Sequence, residues 1–203
     1  MKRLAKRALS AGLVPLAGLW RHVVIDRWLR VWSVARLREA TGRPVDPTNV
    51  ILAPVDVQGT GRVRIGRDVL FYPGIHLETQ GEGIIEIGDG VVLSRGVHIV
   101  AFERVVLGDG AMVGEYASIR DANHRLDANS LRDSGHDSAP VIVGRNAWVG
   151  RGAAVLKGVS LGDSCVVGAN AVVTRDVAAG AVVGGVPAAP LRRAPPASEF
   201  SAP

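Results

Sequence analysis

Proton transfer near neutral pH is the first chemistry to look for, because imidazole is the side chain whose unperturbed charge changes there. The chain has five histidines: His22, His76, His98, His124 and His136. His22 belongs to a basic N-terminal arm. His76 and His98 stand at outward strand positions, where an ordinary surface role is expected. His136 lies in a long loop, able to touch a substrate but poorly held as a sole base. His124 differs, since it closes the segment DANH at the point where that loop leaves. Asp121, three residues earlier, either holds an imidazole tautomer or is a corner carboxylate in solvent. No Ser-His-Asp arrangement is legible. The single Cys165 permits neither an internal disulfide nor a cysteine-based zinc site. The repeat described next brings no two histidines together as a zinc site would need.

What must position these residues is a six-residue period. The 203 residues are 47% hydrophobic but only 4% aromatic, with 25 glycines and a mean hydropathy of +0.21. So much Val, Ile and Leu excludes a disordered chain, and the glycines lack the three-residue period of collagen. Aliphatic residues recur at Val143, Val149, Val155, Leu161, Val167 and Val173, with small or β-branched residues four positions after each. Glycine often follows the leading residue and is expected to supply the freedom of a tight turn. The same register governs Ile65, Phe71 and Leu77, then Ile87, Leu93 and Ile99, then Leu107, Val113 and Ile119. Three hexads make a coil, so five coils are expected: 65–82, 87–104, 107–124, 143–160 and 161–178. Extra residues (83–86, 105–106 and 125–142) always follow the third hexad, as in a three-sided solenoid with its loops on one edge. Cys165 falls at an inward small position. Glu103 and Asn123 occupy equivalent slots, so either the insertions turn them outward or they form a polar cluster beside His124.

This register, with the segments DANH, NAWVG and GGVPA, resembles the hexapeptide-repeat acyltransferases, and in particular the sugar O-acetyltransferases related to the galactoside and maltose enzymes. The resemblance covers about residues 60–193. It implies an all-β solenoid, a left-handed parallel β-helix, working as a homotrimer with its active site between subunits. It also implies direct, acetyl-CoA-dependent O-acetylation of a sugar hydroxyl on a glycan or glycan precursor, with His124 as general base and no covalent intermediate. Asp121, Glu103 and Asn123 complete the catalytic set. Trp148 would lie beside the pantetheine arm, with Gly150, Gly168 and Ala169 leaving it room. Arg151, Lys157, Thr174, Arg175 and Arg192 would meet the carrier's phosphates, although Ala189 stands where relatives often keep a further Arg. No metal is expected. A non-catalytic trimeric scaffold with a membrane-binding arm is the alternative, and a zinc hydratase like the γ-type carbonic anhydrases is a more distant one.

Charge divides the chain. Residues 1–43 carry ten Lys and Arg against Asp26 and Glu39, whereas residues 44–203 are net acidic. A nucleic-acid partner is not expected, because the folded part shows neither a basic stripe nor a recognisable module. The uncharged run from Ala8 to Trp20 is thirteen residues, too short to span a bilayer, and no small-residue cleavage site follows it. Trp20, Trp28 and Trp32 interleaved with Arg21, Arg27 and Arg30 suit an anionic membrane surface, or a helix packed on protein. The expected organisation is therefore a helical arm (1–43), a linker with first strands (44–64), the β-helix (65–193) with its loop 125–142, and a flexible tail (194–203). A cytoplasmic protein, peripheral on the inner face of the cell membrane, fits that reading.

Overall fold

The structure, a computed structural model, describes residues 26–126, 130 and 133–191. Arg192, His22, Trp20 and the tail lie outside the described residues. Each hexad folds as a strand of two to four residues followed by a turn. Strands of successive coils pair in parallel on three faces. Face one stacks Val50–Ile51, Leu70–Phe71, Val92–Leu93, Met112–Val113, Trp148–Val149, Val166–Val167 and Val182–Gly184. Face two stacks Asp56–Gly59, His76–Thr79, His98–Ala101, Ser118–Arg120, Ala154–Val155 and Val172–Val173. Face three stacks Val63–Ile65, Ile84–Ile87, Arg104–Leu107, Val141–Val143 and Ser160–Leu161, and Val177 bridges on to Leu161. The fold is thus a parallel β-solenoid of about six turns, with a first coil over residues 50–65 that the hexad count omits.

Leading residues and the residues four positions on point inward and form one continuous buried column, from Ile51 and Phe71 through Ile99 and Val149 to Val173. Cys165 is fully buried in it, and burial raises its thiol pKa. All three insertions lie on the edge between faces two and three. There the inward slot is filled by Ile85, Val105 and Val141, counted backward from the next leading residue, and all three are fully buried. Glu103 and Asn123 are consequently turned outward and exposed, which resolves the alternative left open by their spacing.

The turns correct one expectation. Glycines directly after a leading residue do not carry positive φ; the left-handed residue comes three after the leader, at Gly74, Gly96, Gly110, Tyr116, Asn146, Gly152, Ser164 and Asn170, among others. Gly144 and Gly150 are required for another reason. A Cβ on Gly144 would lie 2.7 Å from Leu161 O, and one on Gly150 would lie 2.6 Å from Val167 O. These corners are glycine because the backbone of the next coil sits on them.

A helix over Asp26–Thr41 covers the open N-terminal end. Leu37 and Ser33 are fully buried and Val34 packs against the core. Thr41 Oγ1 donates to Leu37 O at 2.8 Å, and Gly42 follows at φ +62°, a left-handed stop. The helix packs close, with Ala40 O only 2.2 Å from where a Cβ on Gly61 would stand. Packing on protein therefore accounts for one side of the helix. The other side leaves Trp28 70% and Trp32 55% exposed, with Leu29 and Val31 beside them. No helix among the described residues is long and apolar enough to cross a membrane.

Candidate active site

The long insertion does not leave the edge as an irregular loop. Ala122–His124 pairs antiparallel with His136–Ser138, setting His124 opposite His136 and Asn123 opposite Asp137. The imidazoles of His124 and His136 lie 4.5 Å apart, tilted by 39°. His136 in turn lies 4.2 Å from the Phe102 ring, tilted by 33°. His124 and His136 are exposed, and with Asn123, Asp137, Leu126 and Lys157 they line a cleft of about 600 Å³. His76 and His98 also meet, stacked at 4.4 Å on face two, where His76 Nδ1 is 2.8 Å from Asp56 Oδ2. The expectation that no two histidines converge is overturned twice. The chain folds back on itself at the insertion, and parallel stacking puts residues one coil apart side by side. Burial, followed by the neighbouring His76, lowers the pKa of His98. Even so, no group of three or more His, Cys, Asp or Glu among the described residues could hold a metal ion.

Asp121 fits neither of its expected roles. It is fully buried, and its two carboxylate oxygens accept the backbone N–H of Phe102, Glu103 and Arg104 at 2.7–2.8 Å. It shapes the corner of the preceding coil instead of orienting the imidazole, because a carboxylate buried here is stable only when donors of the insertion satisfy it. Glu103 accepts from Ser138 Oγ at 3.2 Å and so ties the same corner to the returning strand. Asp137 forms an ion pair with Lys157.

The residues expected on the donor side divide between places. Lys157 lines the His124 cleft, and Thr174 and Arg175 are exposed one coil further along the same edge. Gly150, Arg151, Gly168 and Ala169 lie on the edge between faces one and two, where the Arg151 guanidinium sits 5.9 Å from the centroid of the Tyr116 ring. Gly150 is accounted for by coil stacking, as described above, whereas a Cβ on Gly168 would meet Val183 O at 3.3 Å, a tight but looser fit. Trp148 is 51% exposed on face one, in register with Met112 and Val166. In a three-sided coil, face one is opposite the edge that carries His124, so one chain does not bring Trp148 and His124 together. The site residues that sequence reasoning missed are Phe102 and Asp137, and it undervalued His136. Their signals were the insertions at 105–106, just after Phe102, and at 125–142, which contains Asp137 and His136, and neither singled out a side chain.

Six coils of hexads on three parallel faces define a hexapeptide-repeat β-solenoid. Within it, residues 140–175 match the family model described as the hexapeptide repeat of succinyl-transferase. The chain is similar to the galactoside O-acetyltransferase of Escherichia coli K12, 28% identical over 43% of each chain. It is also similar to WbbJ of the same organism, named as a candidate O-acetyl transferase of lipopolysaccharide biosynthesis, at 29% identity over 71% of this chain and 78% of that one. Among solved structures it resembles PerB from Caulobacter crescentus in complex with CoA and GDP-perosamine. That match has a TM-score of 0.54 and 25% identity, and covers 77% of this chain and 66% of the other. The chain spans less than half the length of the first curated relatives it matches.

Asp121→Ala is expected to leave three backbone donors of the corner without their acceptor and lower stability by about 3 kcal/mol, read from the urea midpoint at unchanged slope. A loss within the ~0.5 kcal/mol of an ordinary surface substitution would show that the carboxylate does not hold the corner.

Proposed function

We propose that the protein is an acetyl-CoA-dependent O-acetyltransferase acting on a sugar hydroxyl of a glycan or glycan precursor. The observation that carries this reading is His124, presented by the insertion hairpin to an open cleft on the edge it shares with Lys157 and Arg175. Support for the substrates comes from relatives named as sugar or lipopolysaccharide O-acetyl transferases and from a structural neighbour in complex with CoA and a nucleotide sugar. In the reaction, an imidazole nitrogen of His124 takes the hydroxyl proton as the oxygen attacks the thioester carbonyl. The C–S bond then breaks, and the imidazolium returns the proton to the departing thiolate. A sugar hydroxyl is a poor nucleophile at neutral pH, so removing its proton during attack is the main task. Arg175 supplies positive charge along the edge for an anionic carrier, next to Lys157, which is paired with Asp137.

The working unit of this reading is a homotrimer. Trp148 and His124 lie on opposite sides of one chain, so a neighbouring subunit must complete the site if both serve it. Apolar residues at outward strand positions occur on all three faces: Val92, Met112 and Val166 on face one, Ala154 and Val172 on face two, and Val106 on face three. Face one alone is continuous, running Leu70, Val92, Met112, Trp148, Val166 and Val182 in register. Such an uninterrupted ribbon is suited to burial against another chain. The reading also includes peripheral attachment to an anionic cytoplasmic leaflet through residues 1–43, for which the exposed Trp28 and Trp32 and the neighbouring arginines are suited.

His124→Ala is expected to lower acetyl-CoA-dependent thiol release by ~10²–10⁴-fold with the fold intact. Retention of more than about a tenth of the activity would remove His124 as the base. Light scattering at micromolar concentration should give the mass of three chains, and the mass of one chain would overturn the shared site. Liposome flotation should depend on anionic lipid and weaken as salt shortens the Debye length to roughly 3 Å at 1 M. Equal flotation of the full chain and one starting at Val45, or none by either, would assign the arm to protein contacts.

A further inference from the structure

A general base must be held in a productive orientation, commonly by a carboxylate on its second nitrogen. The carboxylates at this edge are engaged elsewhere: Asp121 with three backbone N–H groups, Glu103 with Ser138, and Asp137 with Lys157. What does lie against the His124 ring is His136, directly opposite it in the antiparallel register and itself packed on the Phe102 ring. We infer that the Phe102–His136 ring stack orients His124, with His136 as a positioning residue that stands where a carboxylate is usual. This inference rests on the transferase reading for its consequence in turnover, though not for its geometry.

The stack is anchored at both ends by features whose purpose is otherwise unexplained. Phe102 lies at the corner just before the two-residue insertion, and its backbone N–H is the first of the three that Asp121 holds. Ser138, two residues beyond His136, is tied to Glu103 at the same corner. The returning strand and the preceding coil are therefore joined on either side of the ring contact, and the imidazole of His136 fills the space between. Aromatic faces tilted at these separations attract one another, and the hairpin register prevents the two imidazoles from sliding apart. Asp121 thus acts on His124 at a distance, by fixing the corner from which Phe102 projects.

The test compares His136→Ala, His136→Phe and Phe102→Ala in the full chain, with folding checked by circular dichroism. His136→Ala should lower kcat by on the order of 10–100-fold, the scale of a misplaced catalytic group, while leaving KM for acetyl-CoA little changed. His136→Phe keeps a ring in the stack and should restore most of that loss; Phe102→Ala should move kcat in the same direction as His136→Ala. The second readout is the NMR signal of the His124 ring protons, identified by its absence in His124→Ala. Loss of the neighbouring ring current should shift it in His136→Ala and much less in His136→Phe. An unmoved signal with wild-type kcat in His136→Ala overturns the inference. So does a His136→Phe variant as impaired as the alanine, since the nitrogens of His136 and not its ring face would then matter. If the wild-type protein releases no thiol with any acceptor, the transferase reading fails, and the NMR comparison still decides whether the stack orients His124.

Discussion

Backbone hydrogen bonds between successive coils, at the strand spacing of about 4.8 Å, are the constraint from which the rest of the structure follows. At that separation each corner rests on the one below. Gly144 and Gly150 have no room for a Cβ because Leu161 O and Val167 O occupy it. The same spacing limits each coil to one layer of inward side chains, which is why the core is mostly Val, Ile, Leu and Ala and, among the described residues, contains a single buried ring, Phe71. Most turns are closed by a left-handed residue three positions after the leader, so the hexad repeats a backbone conformation as well as a hydrophobic pattern.

Only one edge is free of this uniformity, and the candidate site is built there. Between faces two and three the inward slot is counted from the following strand, which lets residues accumulate outside without disturbing the column. The cost is a set of backbone donors at residues 102–104 with no coil to pair with. Asp121 satisfies them as a fully buried carboxylate. From that repaired corner Phe102 projects, Glu103 reaches Ser138, and the hairpin that carries His124 and His136 is held against the solenoid.

The two ends of the molecule differ in what they leave outside. At the N-terminal end the helix over Asp26–Thr41 closes the first coil with Leu37 and Ser33, and turns its tryptophans and arginines away. Along the length, face one is apolar from strand to strand, whereas face two begins with the polar Asp56 and the stacked His76 and His98. Parallel stacking is responsible for both patterns, because it places every residue beside its counterpart one coil away.

The sequence by itself determined the solenoid, its three faces, the edge that bears the insertions, and the place of His124 on that edge. Each of these depends on a period, and a period survives in one dimension. It also identified Glu103 and Asn123 as breaks in the inward pattern, without deciding which way they turn. The tertiary structure decided what depends on contact between distant residues. Asp121 binds the backbone of a different coil, His136 returns to face His124 through a hairpin whose strands have no repeat to announce them, and Trp148 lies across the coil from His124. The first coil was illegible because its first leading residues, Ile51 and Val57, precede the stretch where the hexad phase is regular. The physical reason is common to all of these: hydrophobic spacing records which residues point inward, whereas hydrogen bonding and ring packing at a corner depend on which coil lies next to it.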